Sequence, residues 1–190
     1  MAKDAATNGS VFVRAERYIG ERVTDALERI DPKLIDRAVD ILTNASQIFV
    51  YGAGRSGIIG RAFAMRLVQA GLRAYVIGES VTPIVRRGDA VFILSNQGES
   101  YSSIQTANIV RREGAELIVL TSRPGSKLAH TATLLLVIEF RDEPERLTFA
   151  PLGTLFESAG LRLTDAIIAE LLEVRGETED SMRRRHAIMV

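Results

Sequence analysis

The chain has no cysteine and no tryptophan, and only two histidines, His130 and His186, in its 190 residues. Without cysteine there is no disulfide, no thiolate nucleophile and no cysteine-ligated zinc. With two histidines no histidine-built metal site, and no metal, is expected. Net charge is lacking too: 24 basic and 24 acidic residues cancel. The totals hold no basic excess of the kind that binds nucleic acid, and none is expected as a partner. No run of about 18 apolar residues occurs, and the start, MAKDAATNGS, lacks an apolar signal core. The expectation is a cytoplasmic protein without a membrane partner, its residues 1–10 a loose polar terminus.

What remains is ordinary for a globular domain, with 46% hydrophobic and 25% charged residues. One domain over 1–190 is expected: N-terminal helices over 1–46, a sheet core over 47–151, and C-terminal helices and tail over 152–190. Apolar residues at three- and four-residue steps from Val11 to Ile30 predict an amphipathic helix. Asp31-Pro32 then predicts a cap and first turn for a second helix. The runs Ile48–Tyr51, Ala74–Ile77, Ala90–Leu94, Leu117–Leu120 and Leu134–Ile138 read as strands buried on both faces. Ser102–Glu113 has helical spacing closed by Gly114, and a long helix over Gly153–Arg175 ends at Gly176. Five strands with helical crossovers imply an α/β fold with a doubly wound parallel sheet. Phe140–Pro151 is the longest stretch without periodicity, either a mobile loop over a site or a plain surface connection.

The centre of the pattern is Gln47–Gly71, QIFVYGAGRSGIIGRAFAMRLVQAG: a strand, a turn with three glycines, and a helix start. Glycine lets the backbone turn and approach a ligand, and the free N–H groups of the following helix attract an anion. Gly52-Ala-Gly54-Arg-Ser-Gly57 is literally the dinucleotide pattern, and Glu79 stands near where a ribose-binding acid would sit. Arg55 and Ser56 at its tip, beside Gly54, instead suit a terminal phosphate. The same glycines can also serve only to pack helix on strand.

A second polar loop, Ser95-Asn-Gln-Gly-Glu-Ser-Tyr-Ser-Ser103, follows the third strand and opens at the same edge of the sheet. A dinucleotide has no need of it; a sugar phosphate does, because its three phosphate oxygens and its hydroxyls take several neutral donors. Ser95, Gln97 and Ser100 are its candidates, and Ser122, in the turn Thr121-Ser-Arg-Pro124, adds a third group. Serine and asparagine also favour turns and caps with no ligand at all.

Together the GAGRSG turn, the SNQGES loop and the Thr-Ser turn resemble the sugar isomerase (SIS) domain, which binds phosphosugars. GAGRSG with AFAMRL, GESVTP at Gly78–Pro83, PLGTLFE at Pro151–Glu157 and Arg185-His186-Ala187 more closely resemble the 6-phospho-3-hexuloisomerases. The resemblance runs from about Gln47 to Ala187. It implies a three-layer α/β/α sandwich of flavodoxin-like type, with five parallel strands and two leading helices. It also implies interconversion of 3-hexulose 6-phosphate and fructose 6-phosphate without a cofactor, in a homotetramer with sites near subunit interfaces. Other isomerases of the same domain, acting on substrates such as arabinose 5-phosphate, and non-catalytic phosphosugar-binding modules share the loops.

By that resemblance Glu157 is the base that moves a proton between carbons, and His186, entering a site that can belong to a neighbouring subunit, assists ring opening or proton relay. Glu79 lines the pocket by the same analogy. From spacing alone, Thr154-Leu-Phe-Glu157 equally fits a capping box, in which Glu157 only closes a helix start. His130 has no counterpart and reads as a surface residue. The chain departs from the family in reading Ser-Asn-Gln-Gly-Glu-Ser where Ser-Gly-Ser-Gly-Glu-Thr is common, so that Gln97 replaces a small hydroxyl.

Overall fold

A computed structural model describes residues 9–188. The expected loose terminus lies outside the described residues as far as residue 8. Ser10 caps the first helix, α1 (Val11–Leu27), its Oγ accepting from Val13 N. Asp31 caps α2 (Pro32–Asn44) with Pro32 in its first turn, as the sequence predicts. There follow β1 (Ile48–Gly52), α3 (Arg55–Gln69), β2 (Ala74–Val76), β3 (Ala90–Leu94), α4 (Tyr101–Glu113), β4 (Glu116–Thr121) and β5 (Leu134–Val137). A short α5 (Glu145–Phe149), the long α6 (Thr154–Arg175) and α7 (Glu179–Arg184) complete the described chain. Gly114 and Gly176 end α4 and α6 in the left-handed conformation that glycine adopts without steric cost.

All neighbouring strands are parallel, in the order β2-β1-β3-β4-β5. Register is fixed by which side chains each face must bury. Ile48 and Val50 of β1 enter one core while Phe49 packs in the other, so a one-residue slip would exchange the two sets. The larger core lies between the sheet and α1, α2, α3 and α6, where Phe63 meets Phe92 edge-to-face at 5.1 Å. Burying such a side chain contributes about 1.5–3 kcal/mol.

The three layers are unequal, which strand patterning does not reveal. The second face is covered by α4, a 3₁₀ turn at Ala129–Thr131 and an irregular segment contributing Ile77 and Val85. The connections from β2 to β3 and from β4 to β5 therefore carry no α-helix, contrary to the expected helical crossovers, and the former is the longer irregular stretch. Phe140–Pro151, expected to be irregular, contains α5. Tyr18 donates to Glu143 at 3.1 Å, and Arg14 lies over the Phe149 ring, so α1 holds this segment in place.

Strand order reverses between β1 and β3: the chain leaves β1 towards β2 and returns past it to β3. In open α/β sheets ligands sit at the carboxyl ends of such strands. The GAGRSG turn follows β1 and the SNQGES loop follows β3, so topology brings the two loops to one edge.

Candidate active site

The first loop is shaped by contact between backbones. A Cβ on Gly52 would stand 2.8 Å from Gly57 N, and one on Gly57 would collide with Gly52 O. Gly54, at φ 57°, is the N-cap of α3 and offers no side chain to that role. Glycines here pack helix on strand and also leave the start of α3 open. Ser56 is buried in its first turn, while Arg55 projects outward with its side chain 71% exposed.

The second loop is braced from within and from β4. Ser95, buried, accepts from Gly98 N at 3.3 Å. Gly98 has φ 65° and lies so close to Ser126 that a Cβ would collide with the serine hydroxyl. Asn96 joins this loop to the turn after β4: its carbonyl accepts from Ser122 N and Thr121 Oγ1, each at 3.0 Å. Its side chain also hydrogen-bonds Ser122 Oγ. Gln97 Oε1 accepts from Arg123 Nε at 3.2 Å, and Ser100 Oγ lies 3.0 Å from Ser102 Oγ. Reading the sequence singled out Ser122 but neither Asn96 nor Arg123, because a side chain that bridges two strand ends has no local spacing to announce it.

The third component is the start of α6. Leu152 holds φ 57°, unusual for a residue with a Cβ, and Gly153 is the N-cap. Thr154 Oγ1 donates to Pro151 O at 2.7 Å, and Gly153 supplies no side-chain cap. The capping-box alternative for Thr154 and Glu157 is therefore not formed. Glu157 instead reaches across to α3, its Oε2 2.5 Å from Arg55 Nε, with its side chain only 13% exposed. Asn96 Nδ2 and Glu157 Oε1 both border the α-carbon of Gly153, at 3.4 and 2.8 Å from where a Cβ would stand. The carboxylate thus lies beside the bridged loops. Next to it a cavity of about 270 Å³ is lined by Asn96, Gln97, Ser122 and Arg123 and by Phe140 and Arg146 from the segment after β5.

Two other expected residues do not join this group within one chain. Glu79 pairs with Arg61 Nη1 at 2.6 Å on the β2 side. His186 is exposed and follows Arg185, whose Nη1 donates to Gln69 O at the far end of α3. With 15 residues, α3 spans about 22 Å, so His186 stands at the opposite edge of the sheet from Glu157. Arg185 is bound in two places by Glu177, at 2.8 and 2.9 Å, and its guanidinium holds that carboxyl well down, to about 2, with a hydrogen bond from Ser181 adding to the effect. His130 is exposed, as expected, its Nδ1 2.7 Å from Ser126 O. Among the described residues no three His, Asp or Glu side chains gather as a metal site, and no helix is long and apolar enough to cross a membrane.

A family model described as the SIS domain matches residues 41–156. The chain is 35% identical over 156 residues to a 3-hexulose-6-phosphate isomerase of Bacillus subtilis, covering 80% of this chain and 84% of that one. It is 34% identical to an uncharacterized protein of Archaeoglobus fulgidus, covering 94% of this chain and all of the relative. A crystal structure from Methanococcus jannaschii, described as inferring a 3-hexulose-6-phosphate isomerase function, superposes with TM-score 0.82 at 27% identity, over 90% of this chain and 97% of that one.

Proposed function

The chain belongs to the SIS domain family, and on that premise we propose that it is a phosphosugar isomerase interconverting 3-hexulose 6-phosphate and fructose 6-phosphate. The observation that carries this reading is the Glu157 carboxylate, mostly buried, poised by Arg55 between two hydroxyl-bearing loops at the carboxyl edge of the sheet. The relatives named 3-hexulose-6-phosphate isomerase support the choice of substrate.

The reaction moves a ketone from C3 to C2. Glu157 takes the proton from C2, and the electrons of that C–H bond form the C2=C3 double bond of an enediol as O3 takes a proton from a relay, either water or the His186 of a neighbouring copy. O2 then returns a proton to that relay, the C2 carbonyl forms, and Glu157 returns its proton to C3, so that one base on one face serves both carbon transfers. Arg55, in contact with Glu157, is placed to balance charge on the enediol oxygens. Ser122 lines the cavity, and Gly54, Ser56, Ser95 and Ser100 in the adjoining loops are the further neutral donors of this reading, while Glu79, paired with Arg61 on the β2 side, stands apart from them.

His186 serves this chemistry only if a neighbouring copy supplies it, since α3 separates it from Glu157 in its own chain. A homotetramer, or a dimer of dimers, is the assembly we propose. Ile58, Met65 and Val68 form an exposed apolar stripe along α3, with Val81 beside the β2 edge, and support it. We place the enzyme in the cytoplasm, since a phosphorylated sugar does not cross a bilayer unaided, at the step after formaldehyde is joined to ribulose 5-phosphate.

A coupled assay tests the reading: hexulose 6-phosphate is generated from formaldehyde and ribulose 5-phosphate, and fructose 6-phosphate is followed on adding the protein. Rapid turnover is expected. No turnover, with conversion of arabinose 5-phosphate instead, would move the protein to another branch of the family.

A further inference from the structure

Arg55 was the expected cation for the phosphate, yet its Nε is engaged by Glu157. A second guanidinium is differently placed. Arg123 lines the cavity beside Asn96 and Ser122, and its side chain has one hydrogen-bond partner among the described residues, Gln97 Oε1 at 3.2 Å on its Nε. No carboxylate of the described residues lies within ion-pair distance of it. The N–H groups of both terminal nitrogens therefore remain available, in the planar fork that matches a phosphate.

The mounting of Arg123 is rigid at both ends. Its backbone N donates to Thr121 Oγ1 at 3.2 Å, and its carbonyl accepts from Ser126 N at 3.1 Å. Thr121 Oγ1 in turn donates to Asn96 O, so the turn that carries Arg123 is tied to the loop that carries Gln97. The cavity's other arginines differ. Arg146 faces Asp142 at 3.8 Å, and Arg141 belongs to the irregular segment before α5, with no side-chain hydrogen bond among the described residues.

Position 97 is where a small hydroxyl is common in similar loops. A serine there would be too short to hold Arg123; glutamine is long enough to orient the guanidinium. We propose that Arg123, aimed by Gln97, is the cationic ligand of the substrate's phosphate, and that Gln97 acts on the phosphate only through Arg123. The assignment rests on the phosphosugar reading above and makes Gln97 a positioning residue.

Calorimetric binding of fructose 6-phosphate and of inorganic phosphate to the wild type, Arg123→Met, Gln97→Ala and the double variant tests it. Arg123→Met should weaken both ligands roughly 10- to 100-fold with the melting temperature unchanged, since the side chain is exposed. Gln97→Ala should weaken them about 3- to 10-fold, and should add nothing in the Arg123→Met background. Arg123→Lys should restore part of the affinity, because an ammonium group supplies the charge without the planar fork. Wild-type affinity in Arg123→Met, fully additive losses, or a wild type that binds neither ligand would overturn the assignment. Binding of fructose 6-phosphate without turnover of hexulose 6-phosphate would sink the isomerase reading alone; its loss in Arg123→Met would still support the role of Arg123.

Discussion

Arg55 and Glu157 meet across the mouth of the site, Nε 2.5 Å from Oε2, although 102 residues separate them in the chain. Each stands in the first turn of its helix, α3 or α6, so the contact joins two helix starts that approach the same strand ends. With Arg55 largely exposed, the pair adds little to stability, where such contacts contribute about 0–1 kcal/mol. Its consequence is positional: it fixes one oxygen of a carboxylate whose other oxygen borders Gly153.

Glu157→Gln should therefore lower kcat by at least about 100-fold while the melting temperature holds, because the side chain caps nothing. Steady-state kinetics and calorimetry on one preparation decide it. A fall in stability with turnover intact would restore the capping role.

Gly98→Ala should cost about 2–4 kcal/mol, combining a left-handed backbone that alanine resists with a collision against Ser126. Urea unfolding would show the shift in midpoint, and KM should rise with it, since Gly98 N also braces Ser95. Unchanged stability would mean that the loop adapts freely.

For His186 the decisive experiment is mixing. Glu157→Gln and His186→Gln should each be poorly active alone, and co-refolded mixtures should regain activity, since hybrid assemblies pair an intact Glu157 with an intact His186 from another copy. No recovery would confine His186 to a structural tail, in keeping with its exposed position in the single chain.

Glu177 gives the acid response of the α7 dock. Arg185 and Ser181 hold its folded carboxyl near 2, below the ordinary value of an unfolded glutamate of about 4.3. The unfolded chain thus takes up the proton first, and the pair's stabilisation, present above the ordinary value, is lost as pH falls towards 2. Melting temperatures measured between pH 5 and pH 2 should fall more steeply for the wild type than for Arg185→Met. Parallel curves would show that the pair does not couple to folding.

The strands and most helix limits were legible because each depends on neighbours in sequence. Continuous apolar runs such as Ala90–Leu94 mark strands buried on both faces, Asp31-Pro32 starts α2, and Gly114 and Gly176 end α4 and α6. The two polar loops were legible for the same reason, and the resemblance they carry pointed to the family. The uneven layers, the β2–β3 connection without a helix, and α5 were not, since a five-residue helix held by contacts from α1 has too few turns to show a period. Nor could spacing choose between cap and base for Glu157, or set His186 at the far end of α3. Those outcomes depend on pairings over long sequence separations, Arg55 with Glu157 and Arg185 with Gln69, which exist only once the parallel sheet has stacked its strand ends on one side and its strand starts on the other.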